Sequence, residues 1–241
     1  CLLTALRTAA ISALVATYLA PKNSTTLTLI GNGAQSEFQA LAFKAVLGIT
    51  HIRLYDIDEA ASQKAFNNLS NKGLTVTICK SVEEAIKGAH IITTCTADKT
   101  NATILTNDMI PQGVHINAIG GDCPGKTELD SALLERANVF VEYEPQTRVE
   151  GEIQQMSRCF AVTEFHKVIN KQHLGRTSEK ELTIFDGVGF ASEDFSALVY
   201  IREQLIKSGE YEILDLITQQ GDPRNLFSVL EIPHKDKESA A

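Results

Sequence analysis

Apolar residues recur along this chain in two alternating rhythms, one with the period of a helix and one of short continuous runs. Residues 2 to about 20 follow the helical rhythm: Ile11, Leu14, Val15, Tyr18 and Leu19 fall at i, i+3, i+4, i+7 and i+8, and Pro21 ends the pattern. TTLTLI (25–30) reads as a short buried strand, and AQSEFQALAFKAVL (34–47) as a helix stopped by Gly48. HIRLYD (51–56) predicts a second strand and the stretch from Asp58 to about Asn71 another helix. TVTIC (75–79), a short helix from Ser81, HIITTC (90–95), VHINAI (114–119), a helix from Thr127 to Arg136 and NVFVEY (138–143) continue the alternation. ELTIFDG (181–187) is the last strand, and SEDFSALVYIREQLIKSG (192–209) a long amphipathic helix. The segment 145–180 is poor in strand signals and is expected to be helical or irregular; the final KDKESAA is expected to fray. Strands alternating with helices predict an α/β fold with a mostly parallel sheet.

Composition narrows the function. The 241 residues are 44% hydrophobic and 22% charged, as in an ordinary globular protein. No apolar run approaches the length of a membrane span, and no basic segment precedes an apolar one as in a signal peptide. With 22 basic and 30 acidic residues the net charge is −8, which disfavours a nucleic-acid partner. Five scattered cysteines, with no C-x-x-C pair, read as free thiols in a reducing, cytoplasmic compartment. The six histidines form no i, i+4 pair, so no metal is expected, and His115 reads as a packed core residue. The chain opens on Cys1 within a helical pattern, so it is expected to be a piece of a longer or processed protein.

The first strand runs into G-N-G-A-Q-S (31–36), close to the dinucleotide fingerprint G-x-G-x-x-G/A. Gly31 would make the tight turn, Gly33 would let the backbone approach a pyrophosphate, and the helix from Ala34 would offer it free N–H groups. Ser36 takes the third glycine position and is small enough for close helix–strand packing. The next strand ends in Asp56, 25 residues after Gly31. A carboxylate there accepts from the ribose hydroxyls and favours NAD over NADP; Asp58 competes for that role, and a helix cap is the other use of Asp56. TCTAD, with Thr94, Thr96, Ala97 and Asp98, follows the fourth strand at the rim where open sheets bind ligands, and is equally a polar turn.

HINAIGGDCPGKTEL (115–129) raises the sharpest question. Gly120 and Gly121 leave room for a flat ring against the backbone, and Asp122 would then project into the nicotinamide end of the cleft. A carboxylate there can take a proton from an amine or water and stabilise an iminium. Lys126 would contact the cofactor or stabilise the Asp122 charge. The same letters also make an ordinary surface turn.

These blocks together resemble the ornithine cyclodeaminase and mu-crystallin family: LRTAAISALVATYLA, IGNGAQSEFQALAF, the Asp56 strand, TCTAD, NAIGGDCPGKTEL and FDGVGFASEDFSAL. GGDCPGKTEL is the most specific, and is similar to the cyclodeaminase branch rather than the ketimine reductase or alanine dehydrogenase branches. The resemblance implies roles. Arg7 would contact the substrate carboxylate and Val188 would line the substrate. Ala34 and Gln35 would meet the pyrophosphate, Asp56 the ribose, and Thr96, Gly120 and Lys126 would contact the cofactor. Asp122 would be the catalytic acid. Gly187 stands where close relatives are expected to carry serine, which leaves one cofactor hydrogen bond open.

The implied architecture is a Rossmann-type doubly wound domain over residues 21–190, flanked by parts of a substrate-binding and dimerisation domain at 1–20 and 191–241. An N-terminal segment that supplies further substrate ligands is expected to be absent from this chain, leaving the 241 residues inactive alone. The implied reaction turns L-ornithine into L-proline and ammonia in a homodimer: hydride passes from Cα to NAD, the δ-amine closes on the imine, ammonia leaves, and the hydride returns. A lysine or other diamino-acid cyclodeaminase, a cyclic-imine reductase or amino-acid dehydrogenase, and a non-enzymatic binder remain open alternatives.

Overall fold

The computed structural model describes residues 2–97 and 102–213; Asp98 and the KDKESAA tail lie outside them. The chain divides into two units, Cys1–Val199 and Tyr200–Ala241. Among the described residues of the first, eight strands form one sheet: β1 (Thr26–Ile30), β2 (His51–Tyr55), β3 (Thr75–Ile78), β4 (Ile91–Thr94), β5 (His115–Ala118), β6 (Asn138–Val141), β7 (Thr163–Glu164) and β8 (Thr183–Asp186). Their order is β3-β2-β1-β4-β5-β8-β6-β7, and every pairing is parallel. β4, β5 and β8 are buried at every position, as strands covered on both faces must be. The α/β, doubly wound reading therefore holds.

The strand order places the crevice. From β1 the chain winds outward through β2 and β3, then returns to the other side of β1 with β4. The connections leaving β1 and β4 diverge at their carboxyl ends, which is where an open sheet takes its ligands. Among the described residues of the first unit the α-helices are α1 (Leu2–Leu19), α2 (Ser36–Leu47), α3 (Glu59–Ser70), α4 (Val82–Ile86), α5 (Ser131–Arg136), α6 (Glu144–Glu150) and α7 (His166–Ile169), and α8 (Ala191–Ser208) begins in it and runs on into the second. Gly48 closes α2 in the left-handed conformation at φ 72°, donating to Lys44 O. Asp58, Ser81 and Asp130 cap α3, α4 and α5 with their side chains.

Local pattern misjudged several features. α2 begins at Ser36, two residues after Ala34. α5 begins at Ser131 rather than Thr127, because 127–129 run extended, Leu129 bridges to Leu105 and Asp130 caps the helix. The region expected to lack strands contributes β7 to the sheet edge. In α1 the expected buried face is only half right: Leu14 and Tyr18 are each 41% exposed. Its buried face is Ala5, Thr8, Ala9, Ser12, Ala13, Val15, Ala16 and Leu19. Small side chains let α1 lie close to α2, where Gln39 Nε2 donates to Ser12 Oγ at 3.3 Å and Ala13 and Ala16 cluster with Ala40 and Phe43. α1 is also long and apolar enough, by length and composition, to cross a membrane, which corrects the expectation that no segment approached that length. In this fold 44% of it is buried within the unit, the position of a core helix.

His115 is packed in the core, as expected. It is fully buried, its Nδ1 lies 2.9 Å from Thr183 Oγ1, and burial together with the Arg176 charge holds its pKa down to about 3. In the second unit the described residues complete α8 and pass Gly209, and none of them is buried.

Candidate functional site

The glycine turn meets the end of β4. Gly31 has φ +92°, and a Cβ on it would stand 2.7 Å from Cys95 O and 2.8 Å from Thr96 N. Only glycine admits both that conformation and that approach. Gly33 differs: a Cβ there would meet no atom within 4 Å. Open space thus lies over the turn just before α2, whose N-cap Gln35 makes no side-chain cap bond. Gln35 Oε1 is buried with no partner among the described residues. Ala34 is exposed beside it, and Ser36 is fully buried, as close packing of α2 requires.

Asp56 stands at the end of β2 against this turn. Its Oδ2 accepts from Asn32 N at 2.5 Å and its Oδ1 from Asp58 N at 2.9 Å. The helix-cap role falls to Asp58, which accepts from Ala60 N at 2.9 Å. The two acids that competed in the sequence are thus separated by geometry: Asp58 holds α3, and Asp56 faces the glycine loop.

Beyond β4 and β5 the rim closes through Thr96, Lys126 and Asp122. Lys126 is buried, at 3% exposure, and its Nζ donates to Thr96 O at 2.8 Å. The same ammonium lies 3.6 Å from Asp122 Oδ1. The Asp122 side chain is 66% exposed, so it is paired on one side and open on the other. Because Thr96 N abuts Gly31, Asp122 connects to the glycine turn through two residues.

Sequence reasoning missed three buried carboxylates beneath this rim. Glu128, 2% exposed, accepts from Thr96 N at 3.1 Å and from Thr96 Oγ1. Glu152, fully buried, accepts from Glu128 N at 2.8 Å and Leu129 N at 3.0 Å. Asp186, fully buried at the end of β8, accepts from Glu152 N and Ile153 N, each at 2.9 Å. Burial pushes the Asp186 carboxyl up to about 7, although its two amide donors oppose the shift. Burial, then the Asp186 charge, raises Glu152 well above the ordinary carboxylate range. The carboxylates also give Gly120 and Gly121 a different reason from the one expected. A Cβ on Gly120 would overlap the Glu128 carboxylate, and one on Gly121 would stand 3.1 Å from Glu152 Oε1. The only signal in the sequence was a glycine pair upstream of an acid, which is also ordinary turn chemistry.

Arg7 and Val188 sit by the loop that follows β8, the neighbour of β5. Arg7 Nε lies 3.3 Å from Asp194 Oδ1 and its Nη1 3.5 Å from Glu193 Oε2, both in the first turn of α8. A Cβ on Gly189 would overlap the guanidinium, so glycine is required there. Glu142 accepts from Gly189 N at 2.5 Å; burial, then the Glu193 charge, raises its carboxyl. Val188 is half-buried in the same loop. Gly187 N donates to Ala118 O at 3.0 Å, and a Cβ on Gly187 would stand 2.7 Å from the Phe185 ring. A buried Phe185 is thus a local reason for glycine where serine was expected.

The sequence profile of the ornithine cyclodeaminase/mu-crystallin family matches residues 1–209. An ornithine cyclodeaminase of Brucella suis biovar 1 (strain 1330) is 58% identical over 229 residues, which are 95% of this chain and 64% of that protein. The chain thus spans just under two thirds of the length of these curated relatives. Among solved structures, a lysine cyclodeaminase studied for its recognition of L-lysine, L-ornithine and L-2,4-diaminobutyric acid matches with a TM-score of 0.85 at 32% identity, covering 94% of this chain and 66% of that one. An archaeal alanine dehydrogenase dimer with bound NAD matches at 0.81 and 31% identity, covering 89% and 68%.

Proposed function

Since the chain belongs to the ornithine cyclodeaminase/mu-crystallin family, we propose that the complete protein is an NAD-dependent ornithine cyclodeaminase, converting L-ornithine to L-proline and ammonia without net oxidation. The contact chain from Gly31 through Thr96 and Lys126 to Asp122 carries this proposal. It ties an exposed, charge-compensated carboxylate to a glycine turn with open space above it. The donor set fits a dinucleotide: the clear approach over Gly33, the start of α2 without a side-chain cap, and Asp56 at the end of β2.

NAD, when bound, supplies a hydride acceptor that later returns the hydride. The remaining work belongs to the chain. Arg7 holds the substrate α-carboxylate; its present partners, Glu193 and Asp194, are themselves carboxylates and occupy the same donors. Asp122 takes the proton from the reacting amine and faces the cationic carbon of the imine, with Lys126 at 3.6 Å balancing its charge. Val188 lines the substrate, while Thr96, Gly120, Lys126 and Gly187 border the cofactor. A site closed to bulk water protects the imine until the δ-amine has attacked. Residues 1–20 and 191–241 belong to the substrate-binding and dimerisation part of a cytoplasmic homodimer.

The test is an assay of the complete protein with catalytic NAD⁺ and, in parallel, L-ornithine, L-lysine and L-2,4-diaminobutyrate. Proline formed from ornithine without net NADH is the expected result. NADH accumulating in step with substrate loss would make the protein a dehydrogenase, and preference for lysine would reassign the substrate.

A further inference from the structure

The three buried carboxylates form a ladder in which each rung grips the backbone of the next. Asp186 holds the amides of 152–153, Glu152 those of 128–129, and Glu128 the amide and hydroxyl of Thr96. A glycine opposes every rung: Gly151, whose Cβ would stand 2.6 Å from Asp186 Oδ1, then Gly121 and Gly120. Burying a carboxylate costs several kcal/mol even after relaxation, roughly, and two amide donors only partly offset it. Burial raises the carboxyls of Asp186 and Glu152 toward the neutral form, so these lower rungs brace backbone and need no charge.

A use for charge lies at the upper end. Thr96, gripped by Glu128, presents its carbonyl to the Lys126 ammonium at 2.8 Å, and Lys126 faces Asp122. Lys126 is itself buried, and an ammonium removed from water needs negative charge nearby. Glu128 Oε2 is buried with no hydrogen-bond partner among the described residues, so its charge is not fully spent on Thr96.

We propose that Glu128 is a positioning residue for the proposed reaction: by fixing Thr96 it sets the place of Lys126, and through Lys126 the carboxylate of Asp122. This rests on the function proposed above, yet half of its test is independent of it. In the complete enzyme, Glu128→Gln keeps the shape and removes the charge. Hydrogen exchange at the Thr96 amide accelerates about tenfold or more, while the amides of Leu27 and Leu29 in β1 exchange as before. Turnover of ornithine falls at least about tenfold with its KM within about threefold, because Arg7, which holds the substrate carboxylate, is untouched. Unchanged exchange at Thr96 would overturn the proposal, and so would wild-type kcat with Thr96 released. Should Glu128→Gln fail to fold, Thr96→Val removes the hydroxyl donor to Glu128; a lower kcat at unchanged ornithine KM and unchanged NAD affinity supports the proposal, and an unchanged kcat, or a loss that follows weakened NAD binding, overturns it. The exchange measurement needs neither NAD nor ornithine. A wild-type enzyme that forms no proline would sink the cyclodeaminase assignment, and the placement of Thr96 by Glu128 would then be judged on exchange alone.

Discussion

Two glycines of the same turn, two residues apart, should respond in opposite ways to the same substitution. Gly31→Ala places a methyl group where Cys95 O stands at 2.7 Å and Cys95 C and Thr96 N at 2.8 Å, at φ +92°. The obstacle is backbone on both sides, so no side chain can swing aside. Strained φ costs roughly 1–3 kcal/mol and overpacking about as much again, a loss of roughly 2–6 kcal/mol from a total stability of about 5–15 kcal/mol. Gly33→Ala meets nothing within 4 Å and lies outside the left-handed region. It should leave stability unchanged or raise it by about 0.4–1 kcal/mol, through the unfolded chain. Its methyl group, however, fills the approach over the turn, and affinity for NAD should fall at least about tenfold, or about 1.4 kcal/mol. Urea unfolding of the complete protein reads the first effect, and titration of NADH fluorescence the second. A Gly31→Ala variant as stable as wild type would refute the close approach of β1 to β4. A Gly33→Ala variant that binds NAD within about threefold of wild type would remove the cofactor from this turn.

Asp122→Asn in the complete enzyme should abolish turnover while NAD still binds; activity within about tenfold of wild type, about 1.4 kcal/mol of barrier, would remove its assigned role. Asp56→Ala should lower NAD affinity about tenfold, and it strips the acceptor from Asn32 N and Asp58 N; unchanged affinity in a binding titration would move the ribose contact elsewhere. His115 has a folded pKa of about 3 against an ordinary 6.5, so the unfolded chain binds the extra proton between those values and stability is shed as pH falls through that window. Asp186, raised to about 7 from 3.8, acts in the opposite sense over an overlapping range, shedding stability as pH rises. The clean measurement is therefore the difference in unfolding free energy between wild type and His115→Gln: it should move against wild type as the pH is lowered from 6.5, and a flat difference would refute the depressed pKa.

Order and type of the elements from α1 to β6 were legible along the chain because periodicity is a local property, while β7 was not. Runs such as HIITTC and VHINAI were legible as strands, and the sheet buries β4 and β5 throughout. Gly48 ending α2 was equally local, since a left-handed cap asks for glycine whatever lies around it. The glycine turn and Asp56 were readable for the same reason: a strand, a turn and a helix follow one another in the chain, and the next strand in the sheet is the next one in sequence. Tertiary structure decided what depends on neighbours far along the chain. It selected the alanine face of α1 over the larger Leu14 and Tyr18, because α2 comes close enough to admit only small side chains. It gave the cap to Asp58 and left Asp56 facing the glycine loop. Above all it buried Lys126, Glu128, Glu152 and Asp186 together. In sequence these are ordinary charges that would sooner face water; only partners brought in from other strands and turns make their burial tolerable, and no local pattern announces that.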